Sequence, residues 1–280
     1  MPIESLDLWL DNAWNNEFAL RVKLRDRLAS VTTPFQRIDV YDSYVLGRIL
    51  ALGGSIVLSE VDEATYSEGL THPALACHPD PKQVLVLGGG DGGVSREIAR
   101  YAGVEQITVV EIDKQLVELC REYFPRAAAG LDEPRVNVCY DDSHRFLTST
   151  DQRYDIIIVD GEQMQDPSSD LVQERPFANL LADHCADGGI VIVPLGLVAF
   201  AGEQCRSSLA QLRERFAQTH VYTVTTPSVA GYGWAVAWCS DSREPVVSEA
   251  PETSLEYWEA AIQPALFALP RRTRRVLGME

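Results

Sequence analysis

No apolar run in this 280-residue chain approaches the roughly 20 residues that a membrane-spanning helix needs. Positive charge is scarce: 24 Lys and Arg stand against 41 Asp and Glu, a formal net charge of −17. A polyphosphate backbone is gripped by clustered Lys and Arg, so a general nucleic-acid binder is excluded. The one basic cluster, Arg271, Arg272, Arg274 and Arg275, reads as the cap of a terminal helix or as a solvated stretch. An acidic surface either concentrates a cationic substrate or serves solubility alone. The six cysteines form no CxxC pair and the five histidines are dispersed, so neither a disulfide framework nor a metal site is expected. Met1-Pro2-Ile3-Glu4 opens no basic-then-apolar signal pattern, and the expectation is a cytoplasmic globular protein without membrane partners.

What is present is a change of period along the chain. Phe35 to Tyr41 alternates with period two, Gly47 to Leu52 is a second run closed by Gly53-Gly54, and Ile56-Val57-Leu58 is a third. These predict a small antiparallel sheet within residues 1–60. Residues 61–82 read as a linking helix that breaks at Pro79-Asp80-Pro81. From 83 to 240 the pattern becomes strand, glycine loop, helix, strand. Val84–Leu87, Ile107–Val110, Val136–Val138, Tyr154–Val159 and Gly189–Val193 are strand-like, with helices over 94–101, 114–123, 171–184 and 203–218. Continuous apolar strands separated by helices specify a doubly wound α/β sheet. Residues 219–226 and 233–239 add a closing antiparallel pair, and 241–280 reads as an acidic linker with a short helical tail.

Chemistry gathers at the strand ends. Gly88-Gly89-Gly90-Asp91-Gly92-Gly93 follows one strand and opens a helix. It holds G-x-G-x-x-G on Gly88, Gly90 and Gly93, which permits a tight turn and close ligand approach. A carboxylate at Asp91 would repel a pyrophosphate but suits an amine, which favours a nucleoside with a cationic tail over a dinucleotide. Glu111 ends the second strand, where it can accept both ribose hydroxyls. Asp142 closes the third, in reach of an adenine amino group, and Asp160 ends the fourth. Each acid alone is read as a helix cap or a solvated loop; acids at successive strand ends all face one crevice at the switch point of the sheet. Asp160, leaving an apolar strand, is the candidate general base. Glu162 and Asp166 follow it, one of them alternatively capping the next helix.

These residues resemble a family. Leu85 to Glu97, Val110-Glu111-Ile112-Asp113 and Tyr154 to Asp160 look like the spermidine synthase (polyamine aminopropyltransferase) family. The likeness extends to Phe35–Gly54, to Ser59–Glu63 with Tyr66 and His72-Pro73, and to Phe267-Ala268-Leu269-Pro270. It implies an α/β fold, a class I AdoMet-methyltransferase-like Rossmann domain behind a small N-terminal antiparallel β domain. The implied reaction moves an aminopropyl group from decarboxylated S-adenosylmethionine to a small-molecule amine, with no metal. The resemblance assigns Asp91 to the donor's amine, Glu111 to its ribose, Asp142 to its adenine and Asp160 to deprotonation of the acceptor. It also suggests a homodimer or homotetramer through the β domain.

The departures lie on the acceptor side. After the catalytic Asp the family runs roughly D-S-S-D-P, whereas here Asp160-Gly161-Glu162-Gln163-Met164-Gln165-Asp166-Pro167 places Gln163 at the second acid unless Glu162 or Asp166 substitutes. A Tyr-His-Glu triplet becomes Tyr66-Ser67-Glu68, an expected Gln falls on Val57, and the Tyr of Y-P-S-G-x-W falls on Val229 while Trp234 keeps the Trp. Tyr66, Glu162, Gln163 and Trp234 are therefore the candidate acceptor residues, and plain putrescine is not the expected acceptor. The alternative is an enzyme using intact S-adenosylmethionine, such as a methyltransferase on the same scaffold. A binding protein without catalysis is the third reading, which Asp160 argues against.

Overall fold

The computed structural model describes residues 8–13, 18–161, 176–228, 233–248, 250–251 and 255–280. Two sheets organise them. The first is an antiparallel meander of β1 (Leu8–Ala13), β2 (Ala19–Thr32), β3 (Arg37–Ser43), β4 (Arg48–Leu52) and β5 (Ser55–Ser59), in that spatial order. The sequence predicts β3 to β5 but passes over β1 and β2. Leu20, Val22 and Leu24 do alternate with Arg21, Lys23 and Arg25, but two irregularities, between Leu24 and Asp26 and between Arg27 and Ala29, then break the period.

Helix α1 (Glu63–Leu75) leads from this sheet to the second. There the chain alternates through β6 (Gln83–Gly88), α2 (Gly93–Ile98), β7 (Gln106–Val110), α3 (Lys114–Tyr123), α4 (Pro125–Ala128), β8 (Val136–Cys139), α5 (Ser143–Ser149) and β9 (Tyr154–Asp160). It continues through α6 (Phe177–His184), β10 (Cys185–Leu197), α7 (Val198–Arg213), β11 (Gln218–Val224) and β12 (Trp234–Ser240), and ends in α8 (Gln263–Leu266) and α9 (Arg271–Val276). The predicted 203–218 helix starts five residues earlier, and the predicted 189–193 strand is the middle of the longer β10. Residues 171–175 of the predicted 171–184 helix lie outside the described residues.

The strand order of the second sheet is β11-β12-β10-β9-β6-β7-β8. All pairs from β10 to β8 are parallel, while β12 runs antiparallel to both β10 and β11. The alternating residues of each central strand feed opposite cores. Val84, Val86, Ile156, Ile158, Ile190 and Ile192 enter one, and Leu85, Leu87, Ile157, Val159, Val191 and Val193 the other. A strand covered on both faces must be apolar at every position, which is why these runs do not alternate in sequence.

The order also creates the crevice. From β6 the chain winds outward to β7 and β8, then returns to place β9 on the opposite side of β6, so Gly88 and Asp160 end up as register partners. Open α/β sheets bind ligands at such a reversal, where the connections leave in opposite directions. The first sheet closes over it. Ile38, Val40, Leu50 and Leu58 share a core with Leu116, Cys120 and Phe124. Thr33 Oγ1 and Gln36 Nε2 donate to Asp113 Oδ2 at 2.7 and 3.2 Å, and Arg48 Nη1 donates to the Tyr123 carbonyl at 2.7 Å.

Candidate active site

A cavity of about 610 Å³ lies over the carboxyl ends of β6, β7 and β9, roofed by the β4–β5 hairpin. Gly88, Gly90, Asp91, Glu111, Asp142, Asp160, Tyr66, Trp234 and Val57 all line it. Glu162, Gln163, Asp166 and Val229 lie outside the described residues.

The glycine loop is shaped by what approaches it. Gly89 has φ +76°, and a methyl group there would fall 3.0 Å from Asp160 Oδ2. At Gly90 a methyl would fall 2.8 Å from both Cγ and Oε2 of Glu111. That contact reflects a bond: the Gly90 N–H donates to Glu111 Oε2 at 3.2 Å, and the Asp113 N–H donates to Oε1 at 2.8 Å. Glu111 is thus fixed by two backbone amides, while Asp113 does the helix capping through the Gln115 N–H. Gly93 is not at the cavity wall. It opens α2, and its bare Cα admits Ser67 Oγ and Glu63 Oε1, which a methyl would meet at 2.3 and 2.5 Å. This is the helix-packing role of the third glycine in such loops.

Asp91 Oδ1 accepts from the Gly93 N–H at 2.7 Å. Burial pushes its pKa up to about 6; Gly93 and Arg96 oppose the rise and Glu63 adds to it. Asp160 lies well above the ordinary carboxylate range, through burial first and then the charge of Asp91, with Glu111 and Glu63 adding smaller pushes. The Tyr66 hydroxyl partly counters that rise by hydrogen bonding, and Asp160 Oδ2 has no partner among the described residues. Burial also raises Glu111. One compartment holding several carboxylates with raised pKa values is built for positive charge. Asp142 fulfils the bland reading as well: its Oδ1 caps α5 by accepting from the Arg145 N–H at 2.8 Å.

Sequence reasoning missed part of the wall. Asp62 and Glu63 line the cavity from the start of α1, and Thr226 and Ser228 line it from the β11–β12 loop. Asp62 is held by Ser59 Oγ at 2.7 Å and the Ser228 N–H at 2.6 Å. Thr226 is 3% exposed and its Oγ1 has no partner among the described residues. The signal was available, because Thr226-Pro227-Ser228 keeps the Pro-Ser of Y-P-S-G-x-W with Thr before it. Counting back from Trp234 pointed instead to Val229. Of the linking triplet, only Tyr66 and Ser67 reach the cavity. Glu68 is buried and accepts the backbone N–H groups of Glu256, Tyr257 and Trp258 at 2.8–2.9 Å.

A Rossmann-like sheet with carboxylates gathered at its switch point fits an enzyme that binds a positively charged nucleoside. The comparisons give the family. The spermine/spermidine synthase domain model matches residues 63–249, and the chain belongs to that family, whose relatives are polyamine aminopropyltransferases. The polyamine aminopropyltransferase of Streptococcus pneumoniae (strain TIGR4) is 35% identical over 98% of this chain and 99% of its own. Polyamine aminopropyltransferase 1 of Pseudomonas aeruginosa is 32% identical over 94% and 95%. Among solved structures, spermidine synthase from Thermotoga maritima superposes with TM-score 0.91 at 26% identity, covering 98% of this chain and 95% of that one. A spermidine synthase in complex with the transition-state analogue AdoDATO also gives 0.91, at 25% identity over 100% and 96%. The chain is therefore an enzyme of aminopropyl transfer.

Proposed function

We propose that the chain moves the aminopropyl group of decarboxylated S-adenosylmethionine to an amine acceptor other than plain putrescine. The observation that carries this reading is the convergence of Asp91, Glu111 and Asp160 in one cavity with raised carboxyl pKa values. Glu111, presented by two backbone amides, accepts the ribose hydroxyls, and Asp142 faces the adenine. Asp91 takes the donor's terminal ammonium. The AdoDATO complex of a spermidine synthase with the same fold supports this donor.

The sulfonium already makes its neighbouring methylene electrophilic, so the enzyme's task is alignment and proton removal. The acceptor nitrogen attacks that methylene, the carbon–sulfur bond breaks, and methylthioadenosine leaves as a neutral thioether. Asp160 takes the proton that the nitrogen gives up. Because its carboxylate titrates high, it is a stronger base than an exposed aspartate once ionised. Tyr66 orients it, with the Trp234 ring edge-on at 6.4 Å. Val57 on the roof and the small Thr226 side chain at the far wall, with Gln163 following Asp160, favour an acceptor other than putrescine.

Copies of the chain associate through the first sheet. Among the described residues, nine of the twelve exposed large apolar side chains, among them Trp9, Phe35, Tyr44 and Val45, lie between residues 8 and 61, and such a concentration marks an interaction face.

Isothermal titration with intact and with decarboxylated S-adenosylmethionine, each with and without putrescine, tests the donor and the acceptor together. The decarboxylated donor is expected to bind more tightly, with little change on adding putrescine. Preference for the intact molecule would overturn the reading.

A further inference from the structure

The two donors differ only by a carboxylate on the carbon that bears the amine. A site that accepts the intact molecule must offer that carboxylate a cation or N–H groups beside the ammonium subsite. Among the described residues, Arg96 is the cation whose charge lowers the Asp91 pKa. It is not available to a ligand. Its Nη1 donates to Glu63 Oε2 at 2.9 Å and its Nε to Glu97 Oε1 at 2.7 Å, with the Arg96 side chain 14% and the Glu63 side chain 9% exposed. The two carboxylates hold the guanidinium firmly protonated in spite of burial. Glu97 is itself drawn down to about 2, its burial outweighed by hydrogen bonds from His72, Arg96 and Arg100.

Glu63 is the member of this network that faces the cavity. Its Oε1 accepts from Ser67 Oγ at 2.7 Å, so both oxygens are engaged and the charge is fixed in place. The same Oε1 and Asp91 Oδ1 both lie around the Gly93 Cα, 2.5 and 3.1 Å from where a methyl would project.

We propose that Glu63 is a donor-selectivity residue, holding Arg96 away from the ammonium subsite and adding its own negative charge beside Asp91. An ammonium gains from the second charge; an adjoining carboxylate is repelled by it, and the Arg96 guanidinium is already paired with two carboxylates. Specificity is built by repulsion of the wrong ligand as well as by attraction of the right one. The proposal rests on the donor reading above.

The test measures dissociation constants for intact and decarboxylated S-adenosylmethionine and for methylthioadenosine, which lacks the amine-bearing arm, on the wild type, Glu63→Gln and Glu63→Asp. In Glu63→Gln the preference for the decarboxylated donor is expected to fall by about tenfold or more, the scale of one charge-assisted contact. Methylthioadenosine binding is expected to stay within about threefold, because the nucleoside subsite on Glu111 is untouched. Glu63→Asp keeps the charge but draws it back from Arg96, and an intermediate preference is expected. A wild type that does not prefer the decarboxylated donor defeats the donor reading itself. A wild type that prefers it, with Glu63→Gln keeping the same preference and binding methylthioadenosine, overturns the role of Glu63 alone. If Glu63→Gln does not bind methylthioadenosine, the aspartate variant decides: an unchanged preference overturns the proposal and a reduced one supports it.

Discussion

The two halves of the cavity are built by different means. On the side proposed for the donor the backbone does the work: Glu111 is held by the N–H groups of Gly90 and Asp113, Asp91 by that of Gly93, and the glycines are spaced by those contacts. On the side proposed for the acceptor the wall is side chains from α1, from the β11–β12 loop and from the hairpin roof, with Tyr66 against Trp234 and a Thr226 hydroxyl that has no partner among the described residues. A site fixed by backbone amides tolerates little change, because each substitution disturbs a turn. A site fixed by side chains can be altered one residue at a time. The halves should therefore respond differently to mutation.

The largest effect is expected where they meet. Asp160→Asn should lower kcat by about 10³-fold, in the range of a lost general base, while donor affinity by calorimetry changes only a few-fold. The pH dependence follows the same carboxylates. In the free protein Asp91 and Asp160 hold protons more tightly than they would in the unfolded chain. Their contribution to stability is therefore greatest at low pH and is lost as pH rises from the ordinary carboxylate value of 3.8 through about 6 for Asp91, and through the raised pKa of Asp160. Binding a cationic donor favours the ionised forms, so protons should be released on binding near pH 6, and fewer at pH 8. Calorimetry in two buffers of different ionisation enthalpy reads this directly, and proton uptake would contradict it.

Smaller effects separate the halves. Gly90→Ala would drive a methyl to 2.8 Å from the Glu111 carboxylate. Overpacking of this kind costs about 1–3 kcal/mol, which is expected as roughly tenfold or greater loss of donor affinity with little change in acceptor KM once donor is saturating. Thr226→Val removes a hydroxyl without changing shape. It should raise acceptor KM a few-fold, about the net worth of one hydrogen bond, and leave donor affinity alone. If both variants shift both substrates equally, the division into two halves is wrong.

The same division explains what the sequence revealed. Donor-side residues are legible because a strand, a glycine loop and a helix are contiguous in the chain, and Glu111 and Asp160 close recognisable apolar strands. The roof and far wall are not contiguous with the loop: Asp62 accepts from the Ser228 amide across 166 residues. Nothing local marks that contact. Glu63 was visible in the linking segment, but its meaning depends on Arg96, one turn into a different helix. Strand β2 was missed for another reason, since bulges interrupt the period that would have shown it.

Identification of the co-product formed from the donor tests the central claim most directly. Incubated with decarboxylated S-adenosylmethionine and a series of aliphatic amines, the enzyme should release methylthioadenosine in proportion to aminopropylated acceptor, and Asp160→Asn should release almost none. Formation of S-adenosylhomocysteine and a methylated acceptor from intact S-adenosylmethionine, with no methylthioadenosine from the decarboxylated donor, would contradict it.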